Sequence, residues 1–145
     1  MRISKDIKFD CAHLLSRYEG KCANLHGHTY HGRVTIIAAE PSMETGMIMD
    51  YNEIKQIVDE LDHAIIFSSS EYREDAENKL LQWARLYGMR FIILDGKSTA
   101  EGIVHYLAKR FIGSLSYLGG KVTVEIQLSE TDGSWVKDKG NNEGR

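Results

Sequence analysis

Residues 22–28 are Cys-Ala-Asn-Leu-His-Gly-His, and this stretch decides both the local fold and the chemistry. Side chains two positions apart leave the same face of a strand, so His26 and His28 can reach one metal ion together. Upstream, the alternating segment Phe-Asp-Cys-Ala-His ends at His13 and supplies a third imidazole. Three imidazoles with no carboxylate or thiolate among them are typical of a catalytic zinc site with an open fourth position. Cys22 would then lie beside the metal as a candidate base or nucleophile.

Alternating apolar residues predict extended segments on both sides of this stretch. The pattern predicts a first strand over residues 3–13, a long second strand over 30–39 and a last strand over 122–128. Two short apolar runs, 47–49 and 91–94, predict further strands. Strands of this kind bury one face and need a covering layer of other elements.

Three other segments have the spacing of amphipathic helices. The first begins after Asp50 in a capping-box pattern, the second covers residues 76–87, and the third begins at Ser98 in another capping-box pattern. In the second helix, Trp83 and Tyr87 lie on the apolar stripe and are expected in the core. The order of strands and helices favours an α+β fold in which helices cover a mainly antiparallel sheet.

Composition limits the classes of protein to which the chain can belong. At 145 residues it is expected to form one domain, and its net charge of −3 argues against an extended nucleic-acid or anionic-membrane surface. No apolar run approaches the roughly 18 residues of a membrane span, and the first residues lack the apolar core of a signal peptide. We therefore expect a cytoplasmic protein whose two cysteines are free thiols.

Five short motifs occur in an order that resembles one enzyme family. They are Phe-Asp-Cys-Ala-His at 9–13, Cys-x-x-x-His-Gly-His at 22–28, Leu-Asp-His at 61–63, Ser-Thr-Ala-Glu at 98–101 and Ser-Glu-Thr at 129–131. Together they resemble the 6-pyruvoyl-tetrahydropterin synthase and 6-carboxy-tetrahydropterin synthase family. The resemblance implies the tunnelling fold, in which an antiparallel four-stranded sheet has helices on one face and assembles into a ring-shaped oligomer. It places a single domain over residues 1–137, and the polar residues 138–145 are expected to form a disordered tail.

The family typically forms homohexamers with pockets between subunits, and the resemblance implies one zinc ion per subunit on His13, His26 and His28. It also implies that Cys22 is a general base acting on the substrate side chain. Considered alone, Cys22 has two other interpretations. An isolated free cysteine is usually a small buried hydrophobic residue, and a zinc-bound cysteine would close the site and make it structural. Cys11 is interpreted as core packing.

Asp62 and His63 follow the expected end of the first helix. A carboxylate beside an imidazole raises its basicity and can fix its orientation. A histidine at a helix C-terminus also interacts favourably with the helix dipole, which needs no catalytic role. The resemblance implies that His63 belongs to a proton-relay set with the catalytic cysteine and a carboxylate. Whether Asp62 contacts His63 is left open by the sequence.

Glu130 continues the apolar face of the last strand, where an unpaired carboxylate is costly. If the strand has already ended, Glu130 instead lies in solvent. The resemblance implies that Glu130 anchors a pterin ring through two adjacent N–H donors, a pairing that suits a carboxylate. It also implies that Thr99 and Glu101 help to hold the ring. Glu101 has a second interpretation as part of a helix cap that requires no ligand.

These assignments together imply a zinc-dependent synthase acting on 7,8-dihydroneopterin triphosphate. Zinc would acidify the substrate's side-chain hydroxyls while Glu130 holds the ring. We expect a 6-carboxy-5,6,7,8-tetrahydropterin synthase, which releases 6-carboxytetrahydropterin, acetaldehyde and triphosphate on the route to queuosine. This choice rests on analogy with compact chains of similar layout.

Two alternatives stay open at this stage. A 6-pyruvoyl-tetrahydropterin synthase would eliminate triphosphate from the same substrate, and it shares every motif quoted above. A zinc-binding structural homologue without catalysis is the alternative of another class. A zinc hydrolase of unrelated fold is disfavoured, because the His-Glu-x-x-His motif is absent from the sequence.

Overall fold

A computed structural model describes residues 1–142 of the chain, which form three α-helices and one six-stranded sheet. The strands are β1 (Arg2–His13), β2 (His26–Ala38), β3 (Ala64–Phe67), β4 (Phe91–Ile93), β5 (Val122–Thr131) and β6 (Ser134–Asn141). The helices are α1 (Tyr51–Asp59), α2 (Asp75–Leu86) and α3 (Ala100–Ser114). Over these residues, no helix has the length and apolar character needed to cross a lipid bilayer.

The sheet is mixed, with the strand order β4-β3-β1-β2-β5-β6. The neighbours β1–β2, β2–β5 and β5–β6 run antiparallel, whereas β1–β3 and β3–β4 run parallel. The prediction of an α+β fold is confirmed. The prediction of a four-stranded antiparallel sheet is wrong, because two parallel strands extend the four antiparallel ones at one edge.

Strand β3 is missing from the prediction, and the run predicted as a strand at 47–49 is not one. Strand β3 has only four residues and is covered on both faces, so it lacks the alternation that reveals a half-exposed strand. The apolar run at 47–49, expected to be a strand, is instead irregular backbone. Its residues Ile48 and Met49 are buried, and the carbonyl of Ile48 accepts a hydrogen bond from the Tyr117 hydroxyl at 2.7 Å.

Helices lie on both faces of the sheet rather than on one. Ala64 and Ile66 of β3 pack in the main core with residues of α1 and α3. Phe67, by contrast, packs in a second cluster with Leu81 and Ala84 of α2. Successive strand residues point to opposite faces, so α2 covers the face that α1 and α3 leave free. The prediction of helices on one face is therefore wrong for α2.

The expected core position of the α2 aromatic pair is also wrong. Trp83 is 46% exposed and Tyr87 is 67% exposed, and their rings lie 5.3 Å apart on the outer side of the helix. The helix buries Leu81, Ala84 and the carboxylate of Glu77 instead. Glu77 is accommodated because its Oε1 accepts a hydrogen bond from the backbone N–H of Ser68 at 2.8 Å and its Oε2 accepts one from the Ser16 hydroxyl at 2.6 Å.

The C-terminal strand corrects the expected domain boundary. Strand β6 continues to Asn141, where it pairs with Thr123 of β5. The prediction of a disordered tail over 138–145 is therefore wrong for residues 138–141, while residues 143–145 lie outside the described part of the chain. The segment was mistaken for a tail because its exposed positions are polar, as is common for an edge strand.

Capping residues fix where α1 and α3 begin. Asp50 caps α1, and its carboxylate accepts a hydrogen bond from the N–H of Asn52 at 2.7 Å. The cap of α3 is Thr99, whose hydroxyl accepts from the N–H of Gly102 at 3.2 Å, rather than the expected Ser98. A Cβ on Gly102 would lie 2.0 Å from the carbonyl oxygen of Lys97, so only glycine permits this close approach. This close contact between Gly102 and Lys97 holds the residues before α3 against the first turn of the helix.

Candidate metal centre and adjoining cavity

Three histidines meet at one end of the β1–β2 hairpin. His13 of β1 is the direct cross-strand partner of His26, and His28 follows two residues later on the same face of β2. One ligating nitrogen from each imidazole lies within 4.8 Å of the other two. The strand alternation that predicted this cluster therefore holds in the structure.

Backbone carbonyls orient two of the three rings. The Nδ1 of His13 lies 2.5 Å from the carbonyl oxygen of Ser98, and the Nδ1 of His26 lies 2.7 Å from that of Asn24. A carbonyl can only accept, so both Nδ1 atoms donate and both Nε2 atoms remain available for a metal. Two Nε2 atoms, those of His13 and His26, lie 3.2 Å apart. These carbonyl contacts could not be found from residue types.

Glu130 borders the same cluster. Its Oε1 lies 3.1 Å from Nε2 of His13 and 3.2 Å from Nε2 of His28, and it accepts a hydrogen bond from the Tyr30 hydroxyl at 2.9 Å. Hydrogen bonding from His13 lowers the pKa of Glu130 to about 2, with a further contribution from Tyr30, although partial burial opposes the shift. Glu130 is therefore ionised and points toward the cluster, not into bulk solvent.

The surroundings of the cluster also shift the pKa values of His13 and His28. Burial by itself lowers the pKa of His13, but hydrogen bonds to Glu130 and to the Ser98 carbonyl raise it overall. Burial is the largest cause of the lowered pKa of His28, where it outweighs the opposing effect of Glu130. Neutral imidazole is the form that binds a metal ion.

The residues present fit a zinc ion. Nitrogen donors from three imidazoles, two of them held by backbone carbonyls, form the donor set of an open zinc site, although imidazole also suits other divalent metals. Among the described residues, the group close enough to hold a metal consists of His13, His26 and His28, without Cys22. The Cys22 thiol is thus not among the groups that could close the site.

A cavity of about 250 Å³ adjoins the cluster. It brings together residues from β1, β5 and the start of α3 with the cysteine, and its lining includes His13, Cys22, Thr99, Glu101 and Glu130. Cys22 is half-buried in a short 3-10 turn, and its carbonyl accepts a hydrogen bond from the N–H of Leu15 at 2.8 Å. The interpretation of Cys11 as core packing is confirmed, because Cys11 is buried among apolar residues.

Asp62 and His63 are not part of this cavity within one chain. The Oδ2 of Asp62 lies 2.9 Å from Nδ1 of His63, which answers the question that the sequence left open. His63 has a φ of 58° and its side chain is 76% exposed, beside a separate opening that Asp10 and Thr29 also line. A hydrogen bond from the backbone N–H of Asp10 lowers the pKa of Asp62, and His63 adds to the shift.

Comparison with known proteins gives concordant matches. Residues 2–141 match the family described as 6-pyruvoyl tetrahydropterin synthase. A Haemophilus influenzae protein named 6-carboxy-5,6,7,8-tetrahydropterin synthase is 36% identical over 118 residues, which cover 75% of this chain and 80% of that protein. A Pyrococcus abyssi protein named putative 6-carboxy-5,6,7,8-tetrahydropterin synthase is 36% identical over 114 residues, covering 72% and 69% of the two chains.

Solved structures share the fold at lower sequence identity. A Plasmodium vivax 6-pyruvoyl tetrahydropterin synthase aligns with a TM-score of 0.60 and 16% identity, covering 98% of this chain and 99% of that one. An uncharacterized protein, WS1659 from Wolinella succinogenes, aligns with a TM-score of 0.63 and 20% identity over 95% and 97% of the chains. At these identities the likeness concerns the fold alone.

Proposed function

Because the chain belongs to the 6-pyruvoyl tetrahydropterin synthase family, we propose that it is a zinc-dependent 6-carboxy-5,6,7,8-tetrahydropterin synthase. The proposed substrate is 7,8-dihydroneopterin triphosphate, and the products are 6-carboxytetrahydropterin, acetaldehyde and triphosphate, on the route to queuosine in the cytoplasm. The observation that carries the proposal is a cluster of three imidazoles beside a cavity that His13 lines together with the Cys22 thiol and the Glu130 carboxylate. Relatives that bear this name at 36% identity support the choice of reaction.

His13, His26 and His28 would hold the zinc ion. When bound, zinc supplies Lewis-acid polarisation of the substrate's side-chain hydroxyls. The Ser98 and Asn24 carbonyls keep the Nδ1 atoms of two rings engaged, so the rings need little reorientation on binding. The protein's contribution is a donor set arranged in advance on a rigid hairpin.

Glu130 and Thr99 are proposed to hold the pterin ring. Glu130 is ionised, and its Oε2 takes no part in the contacts with His13, His28 and Tyr30, which all involve Oε1. A carboxylate at the wall of a cavity, with one oxygen outside these three contacts, suits the N–H edge of a pterin. Thr99 and Glu101 line the same cavity at the start of α3. Holding the ring there would bring the substrate side chain toward the histidines.

Cys22 is proposed to move a proton at the side-chain carbons of the substrate. It lines the cavity between the histidine cluster and α3 and is partly accessible, as a proton-transfer group must be. His63, oriented by Asp62, would relay that proton. His63 and Cys22 line different openings within one chain, so we propose that His63 of a neighbouring subunit serves as this relay.

The sheet offers edges for such an assembly. Strand β1 pairs with β3 only from Cys11 to His13, so within the described residues its outer edge over residues 2–10 has no strand partner. Strand β6 forms the far edge of the sheet. Open edges favour pairing with another chain. We therefore propose that the chain forms a ring-shaped oligomer, a homohexamer as in the family, and that it completes its site between subunits.

The proposed function is tested by incubating the purified protein with 7,8-dihydroneopterin triphosphate, with and without a chelator, and identifying products by mass spectrometry. Acetaldehyde together with 6-carboxytetrahydropterin, lost on chelation and restored by zinc, is the expected result. A 6-pyruvoyl product would move the chain to the activity named for its structural neighbour from Plasmodium vivax. Zinc binding without turnover would leave a metal-binding homologue that is not catalytic.

A further inference from the structure

The hydroxyl of Tyr30 connects the histidine cluster to Glu130. His31 of β2 pairs with Ser129 of β5, so Tyr30 and Glu130 are the next residues along these neighbouring strands. Tyr30 is fully buried, and its hydroxyl donates a hydrogen bond to Oε1 of Glu130 at 2.9 Å. A buried phenol that donates to a carboxylate at the wall of a cavity can control how that carboxylate is oriented.

Tyr30 is itself held rigidly. Its ring stacks on that of Phe9 with the centroids 5.1 Å apart and an interplanar angle of 12°. The ring of His28 meets it edge-on at 5.8 Å. Because the ring is enclosed on these sides, the hydroxyl oxygen is held in one position. From there it donates its hydrogen bond to Oε1 of Glu130.

The other contacts of Glu130 depend on the state of the histidines. Nε2 of His13 can donate to Glu130 only while it carries a proton, and its Nδ1 already donates to the Ser98 carbonyl. The same condition applies to Nε2 of His28. An imidazole nitrogen that ligates a metal has no proton to donate. With Nε2 of both His13 and His28 on the metal, Tyr30 is the remaining hydrogen-bond donor to Glu130 among the contacts of residues 1–142.

We propose that Tyr30 is a positioning residue for substrate binding, which holds Oε1 of Glu130 so that Oε2 faces the pterin ring. This inference rests on the proposed function, since it needs Glu130 to be the ring anchor. Tyr30 acts through Glu130 and does not touch the substrate. Loss of its hydroxyl would loosen the ring anchor without changing the metal ligands.

The test is the Tyr30→Phe variant of the full-length, zinc-loaded protein, which keeps the ring packing and removes the hydroxyl. We expect KM for 7,8-dihydroneopterin triphosphate and the calorimetric Kd for biopterin to rise about 10- to 100-fold, the range for a hydrogen bond to a charged group. We expect kcat to change by less than about threefold. The zinc content of the variant, measured by inductively coupled plasma mass spectrometry, should equal that of the wild type.

Tyr106→Phe is the matched control. The Tyr106 hydroxyl also donates to a glutamate, Glu60, at 2.9 Å, but neither residue lines the cavity. If the role of Tyr30 is merely structural, both variants should lose stability and neither should alter KM. We expect Tyr106→Phe to leave KM and Kd unchanged.

A double-mutant cycle tests whether Tyr30 works through Glu130. In a Glu130→Ala background, Tyr30→Phe should weaken biopterin binding by no more than about twofold, because the two residues act as one unit. An equal loss in both backgrounds, or an unchanged KM in the zinc-loaded single variant, would overturn the proposal while leaving the proposed reaction intact. Wild-type protein that binds no pterin at all would overturn both.

Discussion

The Nδ1 atom of His13 lies 2.5 Å from the backbone carbonyl oxygen of Ser98, a contact that spans 85 residues of sequence. The same Ser98 precedes Thr99, the residue that caps α3 and lines the cavity. The Ser98 hydroxyl donates to the carbonyl of Leu14 at 2.7 Å, which ties the segment to the chain just after β1. The orientation of a candidate metal ligand and the wall of the candidate substrate site are thus set by one short segment.

Ser98→Ala should therefore affect both stability and metal binding. The hydroxyl of Ser98 is buried and hydrogen-bonded, and its loss should reduce the free energy of unfolding by about 1–3 kcal/mol. Displacement of the carbonyl from His13 should weaken zinc binding about 10- to 100-fold, as for other residues that orient metal ligands. Denaturant unfolding and competition with a chromogenic chelator measure the two effects.

Ser114→Ala is the control for this variant, since the Ser114 hydroxyl donates to a helix carbonyl, that of Arg110, at 3.0 Å. Its zinc affinity should equal that of the wild type. Equal zinc affinities for Ser98→Ala and Ser114→Ala would show that Ser98 does not orient His13.

His26→Ala should remove a donor from the candidate metal site. Zinc affinity should fall by more than about 100-fold, beyond the range for groups that only support a ligand. His31→Ala is the matched control, because His31 lies on the same strand but is exposed and outside the cluster. Zinc content after dialysis measures the difference. Retention of zinc by His26→Ala at the wild-type level would contradict the assignment.

Cys22→Ser should reduce turnover and spare metal binding. Loss of a proton-transfer group typically lowers kcat about 100- to 10,000-fold, and Cys22 is not in the group of residues that could hold the metal. Product formation by zinc-loaded protein measures kcat. The expectation fails if the variant loses its zinc, since Cys22 would then be a ligand.

The two cysteines should differ sharply in their reaction with iodoacetamide. Burial is the main cause of the raised pKa of Cys11, about 12, and the nearby carboxylates of Glu130, Asp10 and Asp62 contribute. Because the thiolate is the reactive form, Cys11 should stay unmodified in the folded protein at neutral pH, while the half-buried Cys22 is alkylated. Peptide mass spectrometry locates the label. Unfolding in guanidinium should abolish the difference, and equal labelling of the folded protein would contradict it.

The pair Glu60–Arg110 should contribute to stability in a pH-dependent manner. Arg110 donates two hydrogen bonds to the Glu60 carboxylate, which lowers the pKa of Glu60 below its ordinary value of 4.5. A group whose pKa is lower in the folded protein than in the unfolded chain stabilises the fold when the pH is above its unfolded-state pKa. That stabilisation is lost as the pH falls through its folded-state pKa. Because both side chains are partly exposed, the effect should not exceed about 1 kcal/mol.

Glu60→Gln is the variant that measures this effect. It should be less stable than the wild type at pH 7, and the difference should shrink as the pH falls below 4.5. Glu74→Gln serves as the control, since Glu74 pairs with Arg17 at the surface, where such pairs contribute little. A stability difference independent of pH would point to packing rather than charge.

The parts of the molecule that can be predicted are those whose structure leaves a pattern among residues close together in the sequence. Alternation identifies β1, β2 and β5 because each has one buried face, and the spacing of His26 and His28 indicates their shared direction. Strand β3 is buried on both faces, and β6 is polar at its exposed positions except Trp135, so neither carries that pattern. The Tyr30 hydroxyl reaches Glu130 across 100 residues, and sequence spacing does not reveal such a contact.

All three candidate metal ligands lie on the β1–β2 hairpin, within sixteen consecutive residues, 13–28. The groups proposed to recognise the pterin ring, Thr99 and Glu130, come from two other elements much later in the chain. Metal binding and substrate recognition are thus encoded in separate stretches. Divergence confined to the later stretch can give relatives a new substrate while the inherited metal hairpin stays intact.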